Sequence, residues 1–181
     1  MKGRCAKLAM GDWAESGAAE VAMGQAVVHD SPLDGVRVLV VEDHELVREV
    51  ISRLLVEFGA AVTAAGGVAE ALEALERARP DVVLSDIKMA DEDGYALIRR
   101  LRALPPDRGG QTPAAGLTGL ITAEDRARVL RAGFQYYVAK PVDARTLVSI
   151  VAALAARNRT ARGSAARAFH HRSGAGVGTR P

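Results

Sequence analysis

A single cysteine, Cys5, occurs among the 181 residues, so no intrachain disulfide can form and a reducing compartment is the simplest setting. No stretch approaches the roughly 18 apolar residues that a membrane span requires. Near the amino terminus, Lys2, Arg4 and Lys7 are followed by Asp12 and Glu15, which interrupt any apolar region and argue against a secretory signal. A cytoplasmic protein without membrane insertion is therefore expected. Acidic residues are missing beyond Ala156, where six Arg fall, so the formal net charge of +2 belongs to that end. Aromatics make up only 4% of the chain, and the Arg-rich end lacks the aromatic interleaving of nucleic-acid-binding segments; nucleic acid is not an expected partner.

What is present is a globular composition, 49% hydrophobic and 25% charged, in a chain long enough for one domain with a full core. It divides into three parts. Residues 1–34 are rich in Ala, Gly and Met, carry no sustained apolar stripe, and have Trp13 as their one large anchor; a mostly irregular tether is expected, ending in the turn signals Asp30-Ser31-Pro32-Leu33-Asp34-Gly35. Residues 35–156 are regular. Residues 157–181 are basic and nearly free of apolar side chains, so they cannot offset the entropy of folding and a disordered tail is expected.

Within the regular part, Val36 to Val41 reads as a β-branched strand closed by Glu42-Asp43. Val47, Val50, Ile51, Leu54, Leu55 and Phe58 follow at spacings of three and four, one apolar helix face, with Gly59 terminating it. Ala60 to Ala65 is a weaker strand, and Val68, Ala71, Leu72, Leu75 and Ala78 mark a helix stopped by Pro80. Val82-Val83-Leu84 is a continuous apolar run, the pattern of a strand covered on both faces, and it ends on Asp86. Asp91 to Gly94 is turn chemistry. Leu97, Ile98 and Leu101 make a third helix, Pro113 to Thr118 a strand of small residues, and Thr122 with Asp125 a capping pair for a helix over Ala123 to Ala132, closed by Gly133. Tyr136 to Ala139 and a helix capped by Asp143 complete the pattern. Strands alternating with helices over short loops demand a mostly parallel sheet with helices on both faces: an α/β, three-layer, doubly wound domain with five strands.

A lone Asp at a strand end is ordinarily a cap or a turn residue. Asp86 differs because other strands end on chemistry as well: the first on Glu42 and Asp43, the fourth on Thr118, the fifth on Lys140. A parallel sheet gathers all five at its carboxyl edge. Two carboxylates about 4 Å apart repel by on the order of 4 kcal/mol at an effective dielectric of 20, so three together call for a cation. Oxygen ligands at a hydrated site suit Mg²⁺. An Asp carboxylate can attack phosphorus to give an aspartyl phosphate, a reaction that asks mainly for charge neutralisation and positioning, for which Lys140 offers a mobile charge and Thr118 a hydroxyl donor.

Val38-Leu39-Val40-Val41-Glu42-Asp43, Leu84-Ser85-Asp86-Ile87-Lys88-Met89, Leu117-Thr118 and Lys140-Pro141 together resemble the receiver domain of two-component response regulators, from about Val36 to Leu154. The stretches Glu92-Asp93-Gly94-Tyr95 and Leu101 to Gly110 are most similar to receivers appended to hybrid histidine kinases, which suggests that residues 1–34 once joined, or replace, a larger module. The resemblance implies a flavodoxin-like strand order 2-1-3-4-5. It implies a single-domain phosphoprotein in a phosphorelay, taking a phosphoryl group from a sensor histidine kinase or a histidine phosphotransfer protein onto Asp86 and switching the binding of a downstream protein; such a protein loads and clears its own phosphate with Mg²⁺ but is not a turnover enzyme. It further implies Mg²⁺ on Asp43 and Asp86, with Glu42 acting through water and the Lys88 carbonyl contributing; Thr118 and Tyr137 as a switch pair; and a cis Lys140–Pro141 bond.

Departures from the family pattern are Ala90 where Pro is usual, Gly119 where Ala is commoner, and Gly116 inside the fourth strand. These are expected to loosen the loops and the switch. Rival readings are a phosphorylation-independent docking module on the same fold, an aspartyl-phosphate phosphatase, which Asp43-His44-Glu45 disfavours for want of an Asp-x-Asp pattern, and a nucleotide or flavin binder, disfavoured because no Gly-rich loop follows the first strand. His44 could tempt a metal assignment, but the carboxylates already account for the site; His29, His170 and His171 have no partner at ligand spacing. Tyr136 should point away from Tyr137, and Tyr95 is expected on the helix surface or in core packing.

Overall fold

The structure, a computed structural model, describes residues 31–119 and 122–173. Cys5, Trp13, His29 and the rest of residues 1–30 lie outside the described residues, as do the side chains of His170 and His171 and residues 174–181. Five strands, β1 (Arg37–Val41), β2 (Ala61–Ala65), β3 (Val82–Asp86), β4 (Ala114–Thr118) and β5 (Tyr136–Ala139), alternate with helices α1 (Glu45–Glu57), α2 (Val68–Ala78), α3 (Gly94–Ala103), α4 (Ala123–Ala132) and α5 (Ala144–Ser173), with a 3₁₀ turn at Pro106–Arg108. The sheet order is β2-β1-β3-β4-β5 and every neighbouring pair is parallel. This is the doubly wound, flavodoxin-like arrangement expected.

Position in the sheet explains the sequence patterns. Central β3 is buried along its whole length, whereas edge strands β2 and β5 are largely part-exposed, which is why β2 reads weakly. Successive residues point to opposite faces. Val38, Val40, Val82 and Leu84 pack with Ile51, Leu55, Val151 and Leu154 of α1 and α5 on one side. Leu39, Val41 and Val83 pack with Leu75, Leu97, Leu101 and Val129 of α2, α3 and α4 on the other. Helix ends follow their caps. Asp125 N–H donates to Thr122 Oγ1 at 3.1 Å and Thr122 N–H to Asp125 Oδ2 at 3.2 Å, the reciprocal capping box. Gly133 (φ 115°) ends α4 in the left-handed conformation, and Asp143 Oδ2 accepts from Thr146 N–H at 2.9 Å at the start of α5.

Three expectations need correction. Leu33 is fully buried and its N–H donates to Phe58 O at 3.1 Å, so the domain begins inside the turn segment rather than at residue 35. Asp93 caps α3, accepting from Ala96 N–H at 2.8 Å, so Asp93-Gly94 opens a helix rather than closing a turn. Residues 157–173, expected to be disordered, continue α5. The entropy argument omitted that a helix already nucleated by its packed first half needs only propagation, and Ala and Arg propagate well. Asn158, 7% exposed, also ties that continuation to the sheet by donating to Asp81 O at 3.1 Å. Among the described residues no helix is long and apolar enough to cross a membrane.

Candidate functional site

The registers deliver the functional side chains to one place. Val41 lies opposite Ser85, so the residues that follow them, Glu42 and Asp86, emerge side by side. Asp86 lies opposite Leu117, one residue before Thr118, and Thr118 lies opposite Ala139, one before Lys140. Lys140 N–H donates to Thr118 O at 2.8 Å, which holds the β5 exit against the end of β4. The Lys140–Pro141 bond is cis.

Carboxylate oxygens of Glu42, Asp43 and Asp86 all lie within 4.8 Å of one another. Lys140 Nζ stands between two of them, 2.7 Å from Glu42 Oε2 and 2.9 Å from Asp86 Oδ2. Burial by itself lowers the Lys140 pKa, but the hydrogen bonds to Glu42 and Asp86, with their charges, outweigh it and leave the ammonium held above its ordinary value. The remaining oxygens take backbone donors: Lys88 N–H reaches Asp86 Oδ1 at 3.2 Å, Ala90 N–H reaches Asp43 Oδ2 at 2.7 Å, and His44 N–H reaches Glu42 Oε1 at 3.4 Å. Glu42 is 2% exposed and Asp86 7%, whereas Asp43 opens to solvent. Three carboxylates against one ammonium leave two negative charges on an all-oxygen donor set beside water, which fits a hard divalent cation such as Mg²⁺ better than a soft metal.

Of the other residues singled out in the sequence, Thr118 is buried at the end of β4 and Lys88 meets Asp86 through its backbone N–H, with its side chain exposed. Tyr137 is half-buried against the core under α4, and the Arg126 guanidinium lies 5.0 Å from its ring centroid. Tyr136 is exposed, as its strand position suggested, and of the two placements open to Tyr95 the structure has core packing, beneath Arg128. His44 is the N-cap residue of α1, is exposed, and does not belong to the carboxylate group. Gly116, expected to loosen the switch region, also has a packing role: a Cβ there would lie 2.6 Å from Ile87 Cδ1, so the glycine makes room for the residue that follows Asp86.

Two contributors escaped the sequence reading. Gly94 lies against the Asp86 backbone, where a Cβ would come within 2.3 Å of Asp86 O and 3.1 Å of Ser85 Oγ. Arg48 Nη1 donates to the carbonyl oxygens of Glu42 at 2.7 Å and Asp43 at 3.3 Å. Its signal was available, since helix side chains lean toward the amino terminus and a residue in the first turns of α1 therefore reaches back over the loop before it.

A family model described as the response regulator receiver domain matches residues 38–152. An uncharacterised 14.6 kDa protein from the sodA1 3′ region of Leptolyngbya boryana is 42% identical over 114 residues, covering 63% of this chain and 86% of its own length. The sensor histidine kinase RcsC of Salmonella typhimurium is 34% identical over 129 residues, covering 71% of this chain; the chain spans only 13% of that kinase. Among solved structures, the receiver domain of the sensor histidine kinase PA1611 from Pseudomonas aeruginosa, described with a magnesium ion coordinated in the active site cleft, is 32% identical with a TM-score of 0.61, covering 67% of this chain and 98% of that domain.

Proposed function

The chain belongs to the response regulator receiver domain family, and from that premise we propose that it accepts a phosphoryl group on Asp86 from the phosphohistidine of a sensor kinase or phosphotransfer protein and so changes which protein it binds. The observation that carries this reading is the convergence of Glu42, Asp43 and Asp86 on one point, with Lys140 bridging two of them. Receiver domains are in general signal transducers, and no turnover chemistry is assigned to this one.

An Asp86 carboxylate oxygen forms the new O–P bond as the P–N bond to the donor imidazole breaks, the electron pair of that bond returning to the ring nitrogen. Bound at Glu42, Asp43, Asp86 and the Lys88 carbonyl, Mg²⁺ would neutralise charge on the transferring group. Lys140 already holds Asp86 Oδ2 and is placed to follow negative charge onto the phosphoryl oxygens. The Thr118 hydroxyl, one residue beyond the partner of Asp86 in β4, serves as a hydrogen-bond donor to the same oxygens. Its movement, coupled to inward rotation of Tyr137, would relay to the α4–β5 surface the effect of the roughly −1.5 to −2 charges added at Asp86.

The donor needs a surface next to Asp86. An apolar groove of about 370 Å³ runs between α1 and the loop after β5, lined by Leu46, Val47, Val50, Leu54, Lys140 and Val142 among others. Leu46 and Val50 are 66% and 64% exposed there, and Lys140 belongs to both groove and site. We take the phosphohistidine-bearing protein as its occupant. Incubating the full chain with Mg²⁺ and acetyl phosphate should add one acid-stable, alkali-labile phosphoryl group, seen by intact mass, that Asp86→Asn abolishes. Labelling that persists in the variant would exclude Asp86. Phosphorylation without any change in partner binding would leave a docking module.

A further inference from the structure

Charge alone says that a guanidinium beside three carboxylates competes with any cation they bind. Among the described residues, however, the side-chain hydrogen bonds of Arg48 go to main-chain carbonyls rather than to the carboxylates. Its Nη1 donates to the main-chain oxygens of Glu42 at 2.7 Å and Asp43 at 3.3 Å, the two consecutive residues whose side chains turn into the acidic site. The loop between β2 and α2 leaves space on the other side of the guanidinium: a Cβ on Gly66 would fit at ordinary contact distance, 3.4 Å from Nη1 and 3.8 Å from Cζ. That loop is itself tied down, Gly66 N–H donating to Glu70 Oε2 at 2.7 Å. Arg48 is anchored at its base by α1, where its own N–H donates to His44 O at 2.9 Å and its carbonyl accepts from Ser52 Oγ at 2.7 Å.

We propose that Arg48 is a positioning residue for the acidic site, tying the Glu42–Asp43 backbone to α1 so that both carboxylates point at the cation position. The inference rests on the function proposed above. A short loop after a strand has few restraints, and three mutually repelling carboxylates push it open; a forked donor that engages both carbonyls opposes that opening without touching the ligand oxygens. Outer groups that orient metal ligands commonly set affinity by 10- to 100-fold when removed, by order of magnitude.

The two accounts predict opposite signs. If Arg48 acts only as a nearby charge, replacing it with Met tightens Mg²⁺ binding; if it positions the ligands, Met weakens it. The test is an NMR titration of the full chain with MgCl₂ and no phosphoryl donor, following the amides of Lys88 and Ala90, which donate to Asp86 and Asp43. Urea midpoints in EDTA establish that each protein is fully folded under the titration conditions. Arg48→Met is expected to raise the Mg²⁺ Kd by about 10-fold or more, with Arg48→Lys, which keeps the charge and can reach one carbonyl, falling between Met and wild type. A folded Arg48→Met protein with wild-type or tighter affinity overturns the proposal. Should the Met variant not fold, Arg48→Lys carries the test, weaker binding supporting the clamp and wild-type affinity refuting it. A wild-type protein whose amides ignore Mg²⁺ would refute the parent reading and the inference with it, whereas wild-type binding that the variants retain would refute Arg48 alone.

Discussion

Replacing Lys140 with Met keeps the aliphatic stem and removes the ammonium, leaving Glu42, 2% exposed, and Asp86, 7% exposed, without their cation. Gross attraction at the observed 2.7 Å and 2.9 Å is about 6 kcal/mol per contact at an effective dielectric of 20, but most of it offsets the cost of drying the three groups. Removing one partner of a buried ion pair costs about 3–5 kcal/mol; since the Lys140 side chain is 28% exposed, water screens part of this, and about 2–3 kcal/mol is the expected loss. The carboxylates also repel one another, by about 3.5 kcal/mol per pair at 4.8 Å under the same dielectric. A divalent ion relieves what the ammonium no longer does, and at about 100 times its Kd it adds about 2.7 kcal/mol of stability. Urea unfolding followed by circular dichroism should therefore show Lys140→Met less stable than wild type by about 2–3 kcal/mol in EDTA, at unchanged denaturant dependence, with the gap narrowing in saturating Mg²⁺. Equal stability in EDTA, or a gap that Mg²⁺ leaves untouched, would refute the charge balance drawn for this site.

Three further outcomes follow from the same geometry. The Lys140 pKa is raised in the folded protein, so its contribution is fully present below the ordinary value of 10.5 and is lost as pH rises through the higher folded value; in EDTA, urea midpoints should fall more steeply above about pH 10 for wild type than for Lys140→Met. Gly94→Ala places a methyl 2.3 Å from Asp86 O, so the Asp86 backbone must shift; a loss of about 1–3 kcal/mol in urea unfolding is expected, with acetyl-phosphate labelling slowed even where the variant is fully folded. Leu46→Glu, at a position 66% exposed in the groove beside Lys140, should slow transfer from a phosphohistidine protein while leaving labelling by acetyl phosphate at the wild-type rate; equal slowing of both would remove the groove from the donor's path.

Much of the fold was legible because its signals are local and redundant. The apolar run into Asp86, the Thr122–Asp125 capping box and the glycine after α4 each specify one element without help from the rest of the chain. The carboxyl-edge cluster was legible for a topological reason: once strands are parallel, whatever follows each strand arrives at the same edge. What escaped was tertiary or comparative. Nothing near Gly94 in sequence reveals that Asp86 O will press on it, and Gly116 reads as a weak point until Ile87 is seen to occupy the space. The helical extension past Ala156 was missed because composition measures core-forming capacity, whereas propagation of an existing helix depends on propensity.

Arg102 shows how a charged helix residue can be structural in a way that no pattern announces. All five of its N–H donors go to neutral oxygens: Nε and Nη2 to Gly133 O at 3.1 and 3.0 Å, Nη1 to Gly110 O and Thr112 O at 2.8 Å each, and Nη2 again to Gln135 Oε1 at 3.1 Å. Burial pulls the guanidinium below its ordinary pKa, yet arginine remains charged, so the cation is stabilised here by carbonyl dipoles. Gln135 extends the cage by accepting from Ala114 N–H at 2.8 Å, the first residue of β4. Arg37, paired with Asp81 across the starts of β1 and β3, and Asn158, donating to Asp81 O, lie at this same amino edge. Paired and neutral polar contacts thus lock the amino end of the strands, while the carboxyl end gathers three carboxylates that one ammonium, Lys140, only partly offsets. With the sheet locked at its amino edge and Lys140 between two of them, Glu42, Asp43 and Asp86 stay within 4.8 Å of one another, and the negative charge that Lys140 leaves uncompensated is what a divalent ion can neutralise.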